Sequence, residues 1–146
     1  MSNLASRWKR FWGALVDSLL AMTVTLPVMS LMGIPKQIKL YGKITLEQYA
    51  VLFVLGWIVF LAFNGYLLFR KGQTVGKVVV KTRIVDVNNK VPNFARILVF
   101  RYLILGLMAM IPILGIFVSY ANALFIFGKE RRCLHDYLAG TWVINA

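Results

Sequence analysis

Two long apolar runs dominate the polarity pattern of the chain, residues 11–34 and 49–69, and each holds one polar residue of consequence: Asp17 in the first and Asn64 in the second. A bilayer core about 30 Å thick is crossed by about 20 apolar residues in a helix, so both runs predict membrane spans. Between them, residues 35–48 turn polar with Lys36, Lys39 and Lys43, and form an outer loop ending in the helix-start signal Thr45-Leu46-Glu47-Gln48. After the second span the pattern changes. Residues 78–87 are β-branched and partly alternating, and Asn88-Asn89 is a turn signal, which predicts a strand or hairpin over about 77–91 outside the bilayer. A third apolar stretch, residues 97–127, carries Arg101 as its only charge and would overshoot a bilayer as one straight helix. Both of its ends are basic, and Pro112 and Gly115 sit near its middle. The reading is a helical hairpin with arms 97–111 and 113–127 that turns near Pro112; a single kinked third span is the alternative. The tail, about 130–145, reads as a short surface helix closed by Gly140, then a strand over 141–144 able to pair with residues 78–85.

These elements predict an all-α membrane protein: a single domain, a polytopic helical bundle of two full spans plus a helical hairpin, with a small cytoplasmic β element. Composition supports the membrane. Charged residues make up 15% of the chain against about 25% in soluble domains, hydrophobic residues 60%, and the mean hydropathy is +0.72. The net charge of +12 changes the picture further, because the basic residues flank the apolar runs and no nucleic-acid motif is present. That arrangement fits positive-inside loops lying against anionic lipids, not nucleic acid. The most basic loop, with Lys77, Lys81, Arg83, Lys90 and Arg96, is therefore assigned to the cytoplasm, as are both termini. Trp8 and Trp12 mark a head-group boundary, and the first apolar run is too long for the core of a cleaved signal peptide. Cys133 is alone, so neither a disulfide framework nor metal-ligand spacing arises. No triad, metal cluster or cofactor fingerprint points to an enzyme, and no cofactor is expected.

Asp17 is the candidate centre. A charge deep in a membrane helix costs roughly 2.5–3.5 kcal/mol and needs a partner. Arg10 lies two turns earlier on the same face, about 10 Å along the axis. Arg101 begins the third apolar run on the same side, and Asn64 sits at a similar depth on the second span. Small residues Gly13, Ala14 and Ala21 share the face of Asp17 and let another helix approach it. Asp17 is read as a titrating or coordinating group for an ion or small solute, with Arg10 or Arg101 as counter-charge; the alternative is a buried pair that only fixes helix packing in a non-transporting scaffold. With so few helices, a transport path needs a homo-oligomer to enclose it. His135-Asp136 is not read as an acid/base pair, since helix neighbours point about 100° apart. Asp136 instead accepts backbone N–H groups or pairs with the loop of residues 72–77, and that loop is read as a turn preceding a strand.

Three pieces in this order resemble the RDD family of small bacterial membrane proteins, named for one arginine and two aspartates. They are Arg10-x-x-Gly13-Ala14-x-x-Asp17; Gly72-Gln73-Thr74-Val75-Gly76-Lys77 followed by Arg83-Ile84-Val85-Asp86; and Leu134-His135-Asp136-x-Leu138-Ala139-Gly140-Thr141. The resemblance covers essentially the whole chain, with Arg10, Asp17 and Asp136 at the naming positions. It implies a multi-pass protein of the bacterial inner membrane and transport of ions or small solutes, with cation/proton exchange as one form.

Overall fold

The computed structural model describes residues 3–109, 111 and 113–146. Two helices carry the apolar bulk: α1 (Arg7–Leu31) and α3 (Leu46–Lys71). At 1.5 Å per residue each is about 38 Å long, enough to cross a bilayer. Their starts follow from side-chain caps. Ser6 accepts the Lys9 N–H, and Thr45 and Gln48 form a reciprocal capping box. Between them a short helix, α2 (Ile34–Tyr41), occupies the segment read as an outer loop, so α1 stops at Leu31 and not at 34. Gly33 makes the break in the left-handed region at φ 68°, and Pro35 opens the new helix.

The long helices bury little: Gly13 alone in α1, and Val59, Asn64 and Leu68 in α3. Leu19, Leu26, Val54 and Ile58 are each more than half exposed. In water that surface would be a liability; in lipid it is already in its preferred solvent.

The compact part lies at one end of these helices. Gly72 ends α3 in the left-handed region, and the chain turns into a one-turn helix, α4 (Val75–Val79), then β1 (Thr82–Val85). The reading of residues 77–91 as a strand holds at Thr82–Val85 and is corrected before it: residues 75–79 are helical despite three valines. The Thr74 hydroxyl caps the turn by accepting the Lys77 N–H, and α1 packs against it; such contacts override the weak local preference for a strand. β1 pairs antiparallel with β2 (Trp142–Asn145) in the register Ile84↔Val143, and Leu4 bridges Ile144 on the outer edge of β2. Ala5, Leu68, Ile84, Ile97 and Val143 form the core beneath this sheet, with Phe60, Phe94 and Tyr102 against it.

The third apolar stretch starts at α5 (Phe94–Arg96), runs through a π-helical segment (Ile97–Leu103) and continues as α6 (Ile104–Ala109) and α7 (Leu114–Leu124). The chain doubles back between α6 and α7. The proposed turn residue Pro112 lies outside the described residues; beside it, Ile113 has φ 67° and the Gly115 N–H bonds the Ile111 carbonyl at 2.8 Å. The returning end meets α1, because the Arg7 guanidinium donates to the carbonyls of Ile126 (3.1 Å) and Phe127 (3.2 Å). Each arm is short. The 11 residues of α7 span about 16 Å, half a bilayer core. A last helix, α8 (Leu134–Ala139), ends at Gly140 and leads into β2.

Candidate functional site

The carboxylate with the most structure around it is Asp136, fully buried in α8 and not in a long helix. Its Oδ2 accepts the Cys133 N–H at 2.9 Å and a bond from the Arg10 guanidinium; its Oδ1 accepts one from Arg101. Arg10 reaches it from the first turns of α1. Arg101 reaches it from the π-helical segment, where the wider turn carries this residue into the core at 3% exposure. Arg101 also donates to the Thr141 hydroxyl at 2.9 Å. From the other side Arg132 holds the end of α8, donating to the carbonyls of Asp136 (3.0 Å) and Thr141 (3.2 Å), with its guanidinium 4.1 Å from the ring centroids of both Tyr137 and Trp142. Burial works against the charge on Asp136, and the guanidinium groups of Arg101 and Arg10 outweigh it, holding the carboxyl well below the usual range.

Asp17 has no arginine. Its Oδ2 accepts the Thr74 hydroxyl at 2.5 Å and its Oδ1 accepts the Gly76 N–H at 2.7 Å, so it anchors the start of α4. Asn64, read as a donor to Asp17, accepts the Val75 N–H at 2.8 Å instead. Both expectations about Asp17 are thereby corrected: one amide and one hydroxyl at a helix start satisfy this half-buried carboxylate without a second desolvated charge. Arg10 and Arg101 are drawn to Asp136. The loop at Gly72, Gly76 and Lys77 opens a helix and not a strand. Gly76 is where α4 touches α1, and an added methyl there would overlap the Gly13 carbonyl oxygen and stand 2.9 Å from the Asp17 carboxyl carbon. Gly140 closes α8 at φ 59°.

His135 is taken up by Asn122, whose Oδ1 lies 2.8 Å from Nδ1 and accepts the His135 N–H at 3.2 Å. Burial first, then the Arg101 charge, push its pKa well below 6.5 and keep it neutral. The folded value lies below the unfolded one, so protons bind the unfolded chain more readily and stability falls as pH drops below about 6.5. Unfolding in detergent, followed from pH 8 to pH 5, should show this fall, and His135→Asn should remove that part of it. Burial also pushes the Cys133 thiol up, which keeps it protonated and a poor nucleophile. Cys133, His135 and Asp136 bring three metal-type donors within 4.8 Å of one another. Arg10 sits 3.8 Å from the sulfur, and two guanidiniums cover the carboxylate, so a cation there would meet repulsion.

Beside this cluster lies a cavity of about 780 Å³ between the start of α1, the end of α7 and β2. Arg7, Lys9, Arg10, Lys77 and Arg101 line it, as do Trp8, Phe11, Ile126 and Phe127. Sequence reasoning missed Thr74, Asn122, Arg132 and Thr141. Of these only Thr74 carried a local signal, as a hydroxyl residue two positions after a helix-ending glycine.

A helical membrane protein whose basic end is tied together by a buried carboxylate between two arginines is the class that this arrangement defines. The chain belongs to the RDD family, whose model matches residues 4–140. It is 28% identical over 145 residues to the uncharacterized membrane protein YteJ of Bacillus subtilis (strain 168), covering 97% of this chain and 80% of that one. No solved structure gives a significant match.

Proposed function

We propose that this is a multi-pass protein of the bacterial cytoplasmic membrane that transports an ion or small solute, with both termini cytoplasmic and with copies joined as a homo-oligomer. The observation that carries the reading is the cavity of about 780 Å³, lined by five cationic side chains and set against a buried Arg–Asp–Arg cluster. Both oxygens of Asp17 are engaged by Thr74 and Gly76, so the solute contacts fall to the cavity cations and favour an anion over a cation. Orientation is supported by the convergence of the basic N-terminal segment, the loop after α3 and the C-terminal tail on one end of the long helices. α7 alone spans about half a bilayer core, and in this reading a second copy completes the enclosure.

The test is an imposed membrane potential in proteoliposomes, read with a potential-sensitive dye in chloride, phosphate or sodium salts. Wild-type protein should dissipate the potential in an anion salt, and Lys77→Gln should slow this several-fold. A second reading, a scaffold without transport, is favoured by the same saturated carboxylates. It predicts no dissipation in any of the salts from correctly inserted protein.

A further inference from the structure

The cavity holds more positive charge than the carboxylates near it can balance. Among the described residues no Asp or Glu lines it, and Asp136 beside it is shared between Arg10 and Arg101. Arg101 is 3% exposed and turned to Asp136 and Thr141, so Arg7, Lys9 and Lys77 are the cavity cations that no carboxylate pairs with among the described residues. The forked guanidinium of Arg7 and the ammonium of Lys77 suit the oxygens of a phosphate. Apolar side chains line the same cavity: Trp8 is 69% and Phe11 55% exposed, and Ile126 and Phe127 lie beside Arg7. A free phosphate ion gains nothing from such walls, whereas hydrocarbon attached to the phosphate does. The aromatic residues at the start of α1 also sit where head groups meet acyl chains.

We propose that this cavity binds one anionic phospholipid per chain, its phosphate between Arg7 and Lys77 and its acyl chains along Trp8 and Phe11. This is a stoichiometric site, unlike the diffuse attraction of basic loops to a charged surface. It rests on the cavity being the binding site of the proposed function but not on movement through it. Lipid retention without flux, or flux without lipid retention, therefore separates the two.

Native mass spectrometry of the intact protein in detergent tests it, with dioleoyl phosphatidylglycerol, dioleoyl phosphatidylcholine and inorganic phosphate as probes. One phosphatidylglycerol per chain should be retained, with phosphatidylcholine and inorganic phosphate held far more weakly. Arg7→Gln and Lys77→Gln leave Asp136 and its partners in place, and each should weaken phosphatidylglycerol retention about five-fold. Equal retention of phosphatidylcholine would overturn the proposal. So would inorganic phosphate binding as tightly as the lipid, or unchanged retention in both variants while they remain folded.

Discussion

Asp136→Asn should destabilise the protein by about 3–5 kcal/mol, the cost of removing one partner from a buried ion pair. The substitution keeps the shape and leaves Arg10 and Arg101 facing each other in a site where Asp136 itself is fully buried. It also weakens the bond from the Cys133 N–H that starts α8. Unfolding in detergent, followed by circular dichroism, should show the loss, together with aggregation on size exclusion. Charge balance predicts an asymmetry. Arg101→Met leaves one cation and one anion, whereas Asp136→Asn leaves two cations, so the arginine variant should be the milder. If Asp136→Asn unfolds no earlier than Arg101→Met, the carboxylate is not what holds this end together.

Gly76→Ala should cost about 1–3 kcal/mol or more, because the added methyl meets backbone that cannot yield. Its Cβ would overlap the Gly13 carbonyl oxygen and lie 2.8 Å from the carbon of that group. Pushing α4 away would also stretch the 2.7 Å bond from the Gly76 N–H to Asp17. The matched control is Gly56→Ala on α3, where nothing lies within 4 Å of the new atom. It should be neutral or raise stability by up to about 1 kcal/mol through better helix propensity. Equal unfolding temperatures for the two variants would mean that the contact between α1 and α4 contributes nothing.

The two long helices were legible because lipid selects them by length and apolarity, properties a sequence displays directly. The capping box at Thr45 and the glycine at position 140 were legible for a similar reason: their causes are local. The partners of the aspartates were not. The sequence reading sought a charge for Asp17, and a hydroxyl and a main-chain N–H from residues almost sixty positions away satisfied it. Asp136 was read as taking backbone N–H groups, and the Cys133 N–H is one; its other expected partner, the 72–77 loop, gave way to two arginines. Arg101 reaches Asp136 only because a π-helical segment turns it inward and a hairpin brings the tail back. Neither the wider helical turn nor the closure over that distance has a signature in apolar periodicity. The helix at Val75–Val79 was hidden by its own valines, whose preference for strands is weaker than one cap and one packed neighbour.

The cluster at Asp136 joins pieces made at opposite times during synthesis. Arg10 leaves the ribosome well before Arg101, and neither has its anion until residue 136 follows. Until then each arginine that has emerged must stay hydrated. Only when Asp136 arrives can this end of the protein lock.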